Sequence, residues 1–282
     1  MVGLLTTLGA ALPSVPLVNQ LPGVRKTGDG SLPTTVRRRQ AVVERDHVTA
    51  YAEVCGFPRR DTAPLTYLHV LAFPLHLQIM SDRSFPFPAI GTVHLENSNT
   101  RLRAVSIGEQ VTLSASATNL RAHAKGRAFD IQVEATASGE TIWTSRSTYL
   151  RLGDGDPGAA SGPELEAVPA GGIPWRLGGD LGRRYAAVSG DHNPIHLYPL
   201  TAKAFGFRRQ IAHGMWSKAR CVAAVENRLP ERLTVEVAFR KPIFLPGTVS
   251  FGLRDHAWGL DLSLRSATSG AAHLLGRVTY AD

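Results

Sequence analysis

Two cysteines in 282 residues, Cys55 and Cys221, are too few for a disulfide framework or a cysteine-based zinc site. They suit small buried hydrophobes in a reducing compartment. No apolar run reaches the roughly 18 residues of a membrane span. Residues 3–18 are apolar but lack a basic flank and are broken by Pro13 and Pro16, unlike a secretory signal. The expected compartment is therefore the cytoplasm. Lysine is scarce: of 31 basic residues only 5 are Lys, against 26 Arg, and the formal net charge is +8. The basic residues fall in short scattered runs, such as Arg37-Arg38-Arg39, Arg183-Arg184 and Arg208-Arg209, rather than along one tail. That distribution argues against nucleic acid and for a phosphorylated small molecule or an acidic carrier protein.

What remains is an ordinary globular composition, 43% hydrophobic and 19% charged, with length enough for two units. Residues 1–38, with four prolines, read as an extended lead-in. A helical pattern follows over 40–53, then a polar loop over 57–64 and a long apolar segment over 66–80, most simply a buried helix. Strand-like runs cover 93–104, 110–120, 128–137 and 141–150. One helical part followed by antiparallel strands makes an α+β unit. Residues 153–172, rich in Gly, Pro, Ala and acids, have the composition of a linker.

The second half repeats the plan. Tyr51-Ala52-Glu53-Val54-Cys55-Gly56 echoes Tyr185-Ala186-Ala187-Val188-Ser189-Gly190 at an offset of 134. Ser138-Gly139 and Thr148-Tyr149 echo Ser269-Gly270 and Thr279-Tyr280 at an offset of 131. Between them, His69 corresponds to His213. Ordered matches at two fixed offsets indicate a duplicated module. The copies differ after the first echo: Phe57-Pro58-Arg59-Arg60-Asp61 has nothing of the polar cluster that follows Gly190. One active site is expected, with the first copy reused for packing or for holding a substrate tail.

That cluster is Ser189-Gly190-Asp191-His192-Asn193-Pro194-Ile195-His196, followed seventeen residues later by His213-Gly214-Met215. Gly190, Asn193 and Pro194 spell a sharp turn able to bring Asp191 and His196 together, which a straight helix would not do. Residues 199–205 read as a short amphipathic helix, and 215–225 as an apolar one. At its entry Gly214 admits a ligand carbonyl close to the free N–H groups of the first turn. A metal on His192 and His196 is disfavoured because Pro194 interrupts the helical spacing. Ser189 lacks the Gly-x-Ser-x-Gly surroundings of a hydrolase nucleophile. His192 is expected to face solvent.

Tyr-x-x-Val-Ser-Gly-Asp-x-Asn-Pro-Ile-His over 185–196, then Ile-Ala-His-Gly-Met over 211–215, resembles the signature of the MaoC-like, R-specific enoyl-thioester hydratase/dehydratase family. The match extends over 185–226, and 239–247 is similar to the Phe-x-x-Pro-Val-x-x-Gly segment that opens the family's sheet. The resemblance implies a double hot dog fold, two tandem units each with a long central helix wrapped by an antiparallel sheet. Residues 39–152 would be the degenerate unit and 173–282 the catalytic one. Asp191 and His196 would hold a water and act as the general acid/base pair. The Gly214 N–H would receive the thioester oxygen, Asn193 would position the loop, and His213 would support the helix start. Ser189, Gly190, Pro194 and Met215 would complete the pocket, with Arg208, Arg209, Arg240 and Lys241 as possible phosphate contacts. Where some single hot dog relatives place a serine on the following helix, this chain has Ala219, and Ser217 lies on another helical face.

The implied activity is a (3R)-hydroxyacyl-thioester dehydratase, or the reverse hydratase, acting on acyl-CoA or acyl-carrier-protein substrates in fatty-acid metabolism. No cofactor or metal is implied, and the chain would be a pseudo-dimeric monomer or a homodimer. The chemistry agrees independently, because a proton α to a thioester needs a placed base and enolate stabilisation. A non-catalytic acyl-thioester-binding scaffold and a thioesterase are the alternatives. The helix over 66–80, relieved of polar duties, would border a channel for a medium or long acyl chain.

Overall fold

Alternation of side chains sets the sheet. The strand Gln110–His123 buries Val111, Leu113, Ala115 and Ala117 and turns Thr112, Ser114 and Ser116 to the other face. The computed structural model of the protein describes residues 30–89, 91–160 and 162–281. Most of the lead-in, residues 1–29, lies outside the described residues.

The first half runs β1 (Arg37–Val42), α1 (Arg45–Cys55), α2 (Tyr67–Ser81), β2 (Thr92–Arg101), β3 (Gln110–His123), β4 (Gly126–Ala137) and β5 (Glu140–Leu152). Next among the described residues come β6 (Trp175–Leu177), α3 (Leu181–Ser189), a single 3₁₀ turn (Pro194–His196), α4 (Pro199–Ala204) and α5 (Gly214–Ala223). The strands β7 (Leu233–Phe239), β8 (Gly247–His256), β9 (Gly259–Ser266) and β10 (Ala272–Tyr280) complete the chain. The helical pattern expected from Gln40 is a strand as far as Val42. Pairing of Arg37–Val42 with Ala115–Gln110 of β3 overrides local propensity, and the helix starts only at Arg45.

The ten strands of the described residues form one sheet in the order β1-β3-β4-β5-β2-β7-β10-β9-β8-β6. The order reads the same from either edge once each strand is replaced by its counterpart, so the fold is a double hot dog with a pseudo-two-fold axis between β2 and β7. Those two strands pair antiparallel from Glu96↔Ala238 to Arg101↔Leu233. The helix α2 packs on β1, β3 and β4, and α5 packs on β9. Burial of Leu68, Leu71, Leu75 and Ile79 along α2 contributes roughly 1.5–3 kcal/mol per side chain.

Several contacts lock the halves together on the helix side. Tyr51 and Tyr185, the equivalent first residues of the echoed sequence, meet with ring centroids 6.3 Å apart. The Trp216 indole donates to the Val54 carbonyl at 3.0 Å. Fully buried Lys218 reaches the seam, where Nζ donates to Asn97 O at 3.2 Å, Asn97 Oδ1 at 2.5 Å and Val235 O at 2.9 Å. Three acceptors at one ammonium meet its whole donor capacity. Both echoed glycines, Gly56 and Gly190, cap their helices in the left-handed region, at φ 80° and 72°. No helix among the described residues is long and apolar enough to cross a membrane.

Candidate active site

The bend after α3 is held by three short-range locks. Ser189 Oγ accepts the Asp191 N–H at 3.2 Å, Asp191 Oδ1 accepts the Asn193 N–H at 3.1 Å, and Asn193 Oδ1 accepts the Ile195 N–H at 3.4 Å. Pro194 opens the 3₁₀ turn that ends on His196. Close approach to Gly182 of α3 seats this turn: a Cβ there would stand 1.9 Å from the His196 carbonyl oxygen. His192 is exposed, as expected.

His196 is buried, with Nδ1 2.8 Å from the Ile211 carbonyl. A carbonyl only accepts, so Nδ1 carries the proton and Nε2 is left with its lone pair free. The Ile211 segment is braced from behind by the loop between β7 and β8, through Ala212 N–H to Ile243 O at 2.9 Å and Leu245 N–H to Gln210 O at 2.9 Å. The Phe239–Gly247 segment thus does not open the sheet, as its family resemblance had implied. It joins β7 to β8 and supports the bend preceding His213.

His213 caps α5 and donates Nε2–H to the Asp191 carbonyl at 3.0 Å. Its ring stacks on His196 with centroids 3.7 Å apart and lies 4.9 Å from the Tyr185 ring. Burial pushes both imidazoles below the ordinary histidine range; for His196 the Asp191 charge and the Ile211 carbonyl oppose that shift. Ligand-capable atoms of Asp191, His196 and His213 lie within 4.8 Å of one another, the one such group among the described residues, and three donors could hold a divalent ion there. The Asp191 side chain keeps 28% of its surface accessible while His213 keeps 3%, so the site opens on the carboxylate side.

Gly214 is the first residue of α5, so its N–H has no acceptor within the helix. A Cβ at Gly214 would press on the Phe239 ring at 3.1 Å. Met215 is buried beside it, and Ser217 Oγ turns back onto the His213 carbonyl at 3.3 Å. Of the four basic residues, Arg208 and Arg209 gather on the Phe244 ring at 4.2 and 6.0 Å. Arg240 instead borders a depression shared with Pro163, Leu165 and Arg277, and the Lys241 carbonyl is taken by His273 at 2.9 Å.

The first half is more polar here than expected. The helix α2 is not relieved of polar duties, because it buries His69 and His76, and β2 and β5 add His94 and Tyr149. The Asp191 charge acts on Tyr149, and His94 packs against Phe239 with ring centroids 5.1 Å apart. Spacing offered one signal: His69 and His76 stand seven residues apart, two turns along one helical face.

An antiparallel hot dog pair with an acid and an imidazole on one bend defines a class of thioester hydro-lyases. The chain belongs to the MaoC-like family, whose model, described as a MaoC like domain, matches residues 179–255. It is 34% identical over 281 residues to the 3-hydroxyacyl-thioester dehydratase X of Mycobacterium tuberculosis, covering 98% of this chain and 96% of that one. The crystal structure of HtdX from Mycobacterium tuberculosis superposes with a TM-score of 0.77 at 33% identity, over 87% of this chain and all of that one (100%). The (R)-specific enoyl-CoA hydratase of Aeromonas caviae is 28% identical over 121 residues, 40% of this chain and 90% of its own length, about one hot dog unit.

Proposed function

We propose that the protein is a (3R)-hydroxyacyl-thioester dehydratase, and in reverse an (R)-specific trans-2-enoyl-thioester hydratase, acting in the cytoplasm on acyl-CoA or acyl-carrier-protein substrates of fatty-acid metabolism. The observation that carries the reading is the convergence of Asp191 and His196 from one bend, with the His196 Nε2 lone pair left free. In the hydration direction a water held between the two groups attacks C3 of the enoyl thioester. The C3–O bond forms as the π electrons of C2=C3 move toward the thioester oxygen. Gly214 N–H, at the positive end of α5, receives the developing oxyanion. The proton released by the water passes through the Asp191–His196 pair and a proton reaches C2, so one water is consumed. Dehydration runs the same steps backwards. Asn193 keeps the Asp191 carboxylate aimed, and His213 ties the bend to α5.

The half over 173–282 supplies this machinery and the half over 39–152 is the non-catalytic copy, reading 153–172 as the linker. The β2–β7 pairing provides within one chain the contact that two separate hot dog units would otherwise make, which favours a pseudo-dimeric monomer. Arg208 and Arg209, gathered on the Phe244 ring, would meet substrate phosphates; Arg240 and Lys241 would do so from the next loop.

The test is loss of enoyl absorbance on incubation with crotonyl-CoA. Asp191→Asn and His196→Ala should each lower turnover by about 10²–10⁴-fold with the fold retained. Near-normal turnover in both would refute the assignment. Binding without turnover would mark a scaffold, and release of free thiol a thioesterase.

A further inference from the structure

We propose that the largely buried cluster His69, His76, His94 and Tyr149 is a subsite for an acyl chain carrying a neutral oxygen function, a hydroxyl or keto group, beyond the reacting carbons. The proposal rests on the thioester reading above and extends it to substrate class.

The cluster is continuous. His76 Nδ1 lies 3.0 Å from the Tyr149 hydroxyl, and the His69 ring meets His76 edge-on with centroids 5.2 Å apart. His94 is near-parallel to His69 at 6.1 Å and stacks on Tyr149 at 4.6 Å. Yet His69 Nδ1, His76 Nε2 and His94 Nε2 are all enclosed and without a hydrogen-bond partner. Leaving a buried polar atom unmet costs about 1–3 kcal/mol, so three in one place point to a missing partner.

Position ties the cluster to the site. Phe239 lies against Gly214 and also packs on His94, so one ring contacts both the proposed oxyanion donor and an imidazole of the cluster. An acyl chain leaving a thioester at Gly214 toward the first half would run into these groups.

Charge selects the ligand. The charged or titratable groups acting on His69 and His94 are the neighbouring histidines and Lys218, whose ammonium is already spent on Asn97 and Val235. Burial holds the rings neutral, with His76 and His94 lowered to about 3. A neutral imidazole offers one donor and one acceptor, which suits a hydroxyl or a keto oxygen and gives a carboxylate no counter-charge. The donor set is also not grouped as a metal site, because among the described residues only Asp191, His196 and His213 have that spacing.

The experiment uses the full chain and trans-2-decenoyl-CoA, compared with a series bearing one hydroxyl or keto group walked along the chain. At one position the oxygenated substrate should be preferred by about tenfold or more in kcat/KM, the equivalent of one well-made hydrogen bond. His76→Leu and Tyr149→Phe should bring that ratio close to one. The ratio is internal to each protein, so a general loss of activity in a variant cancels. No preference at any position in the wild type overturns the proposal, as does a preference that survives in Tyr149→Phe and His76→Leu. That last result would leave the cluster as a site for ordered water. If the wild type fails to turn over crotonyl-CoA, the catalytic reading falls instead. The subsite is then read by calorimetric binding of the oxygenated and plain acyl-CoA pair, where equal affinities overturn it.

Discussion

His196 and His213 lie face to face, their ring planes 27° from parallel, and each has given one ring nitrogen to a backbone carbonyl. Two charged rings cannot share that stack. Burial is the largest influence on both and keeps them neutral. For His196 this keeps the Nε2 lone pair available below the ordinary histidine range. The acid limb of kcat/KM for enoyl hydration should therefore lie below the ordinary histidine value of about 6.5. A rate profile already halved at neutral pH would contradict it.

Stability should follow the same protons. His69, His76, His94, His196 and His213 all have folded values below their unfolded ones. The unfolded chain then takes up protons first, so stability is complete above about pH 6.5 and falls as pH drops through it. The fall continues toward about 3 for His76 and His94. Each buried imidazole steepens it by about 1.4 kcal/mol per pH unit. Urea melts of wild type and His76→Leu between about pH 6.5 and 5 should differ in slope by one proton; parallel slopes would show that His76 is protonated in the folded state.

Gly182→Ala tests how the bend is seated. The new Cβ would strike the His196 carbonyl oxygen, a backbone atom that cannot swing aside. The expected outcome is a loss of about 1–3 kcal/mol in stability and of about 10²-fold in kcat, as His196 is displaced. Unchanged kinetics would mean that the imidazole position is set elsewhere.

Lys218→Met removes a side chain that reaches from α5 to both seam strands through the hydrogen bonds described above. Asn97 O, Asn97 Oδ1 and Val235 O would lose their ammonium donor, and the chain should lose at least about 3 kcal/mol. Chemical denaturation checks this directly. A neutral or stabilising result would place the lysine among buried charges that a hydrophobe can replace.

The Asp191, His196 and His213 group separates acid–base from metal chemistry. Turnover should survive prolonged treatment with a chelator, whereas added Zn²⁺ should inhibit by occupying the same three donors. Loss of activity in chelator, restored by metal, would require a different mechanism.

The bend could be read in advance because its geometry is local. Gly190, Asn193 and Pro194 direct the chain through contacts no more than a few residues long, and the duplicated plan declares itself in the echoes around Tyr51 and Tyr185. The sequence by itself therefore determined which residues turn, which helix Gly214 opens, and that one copy carries the acid and the imidazole. The tertiary structure alone decided three things. Arg37–Val42 is a strand because β3 lies beside it, and β2 meets β7 because two half-sheets close into one. His69, His76, His94 and Tyr149 became one polar cluster because β2 and β5, distant in sequence, bring His94 and Tyr149 against the histidines of α2. Pairing and burial belong to surfaces brought together by folding, and no local stretch of chain contains that partner.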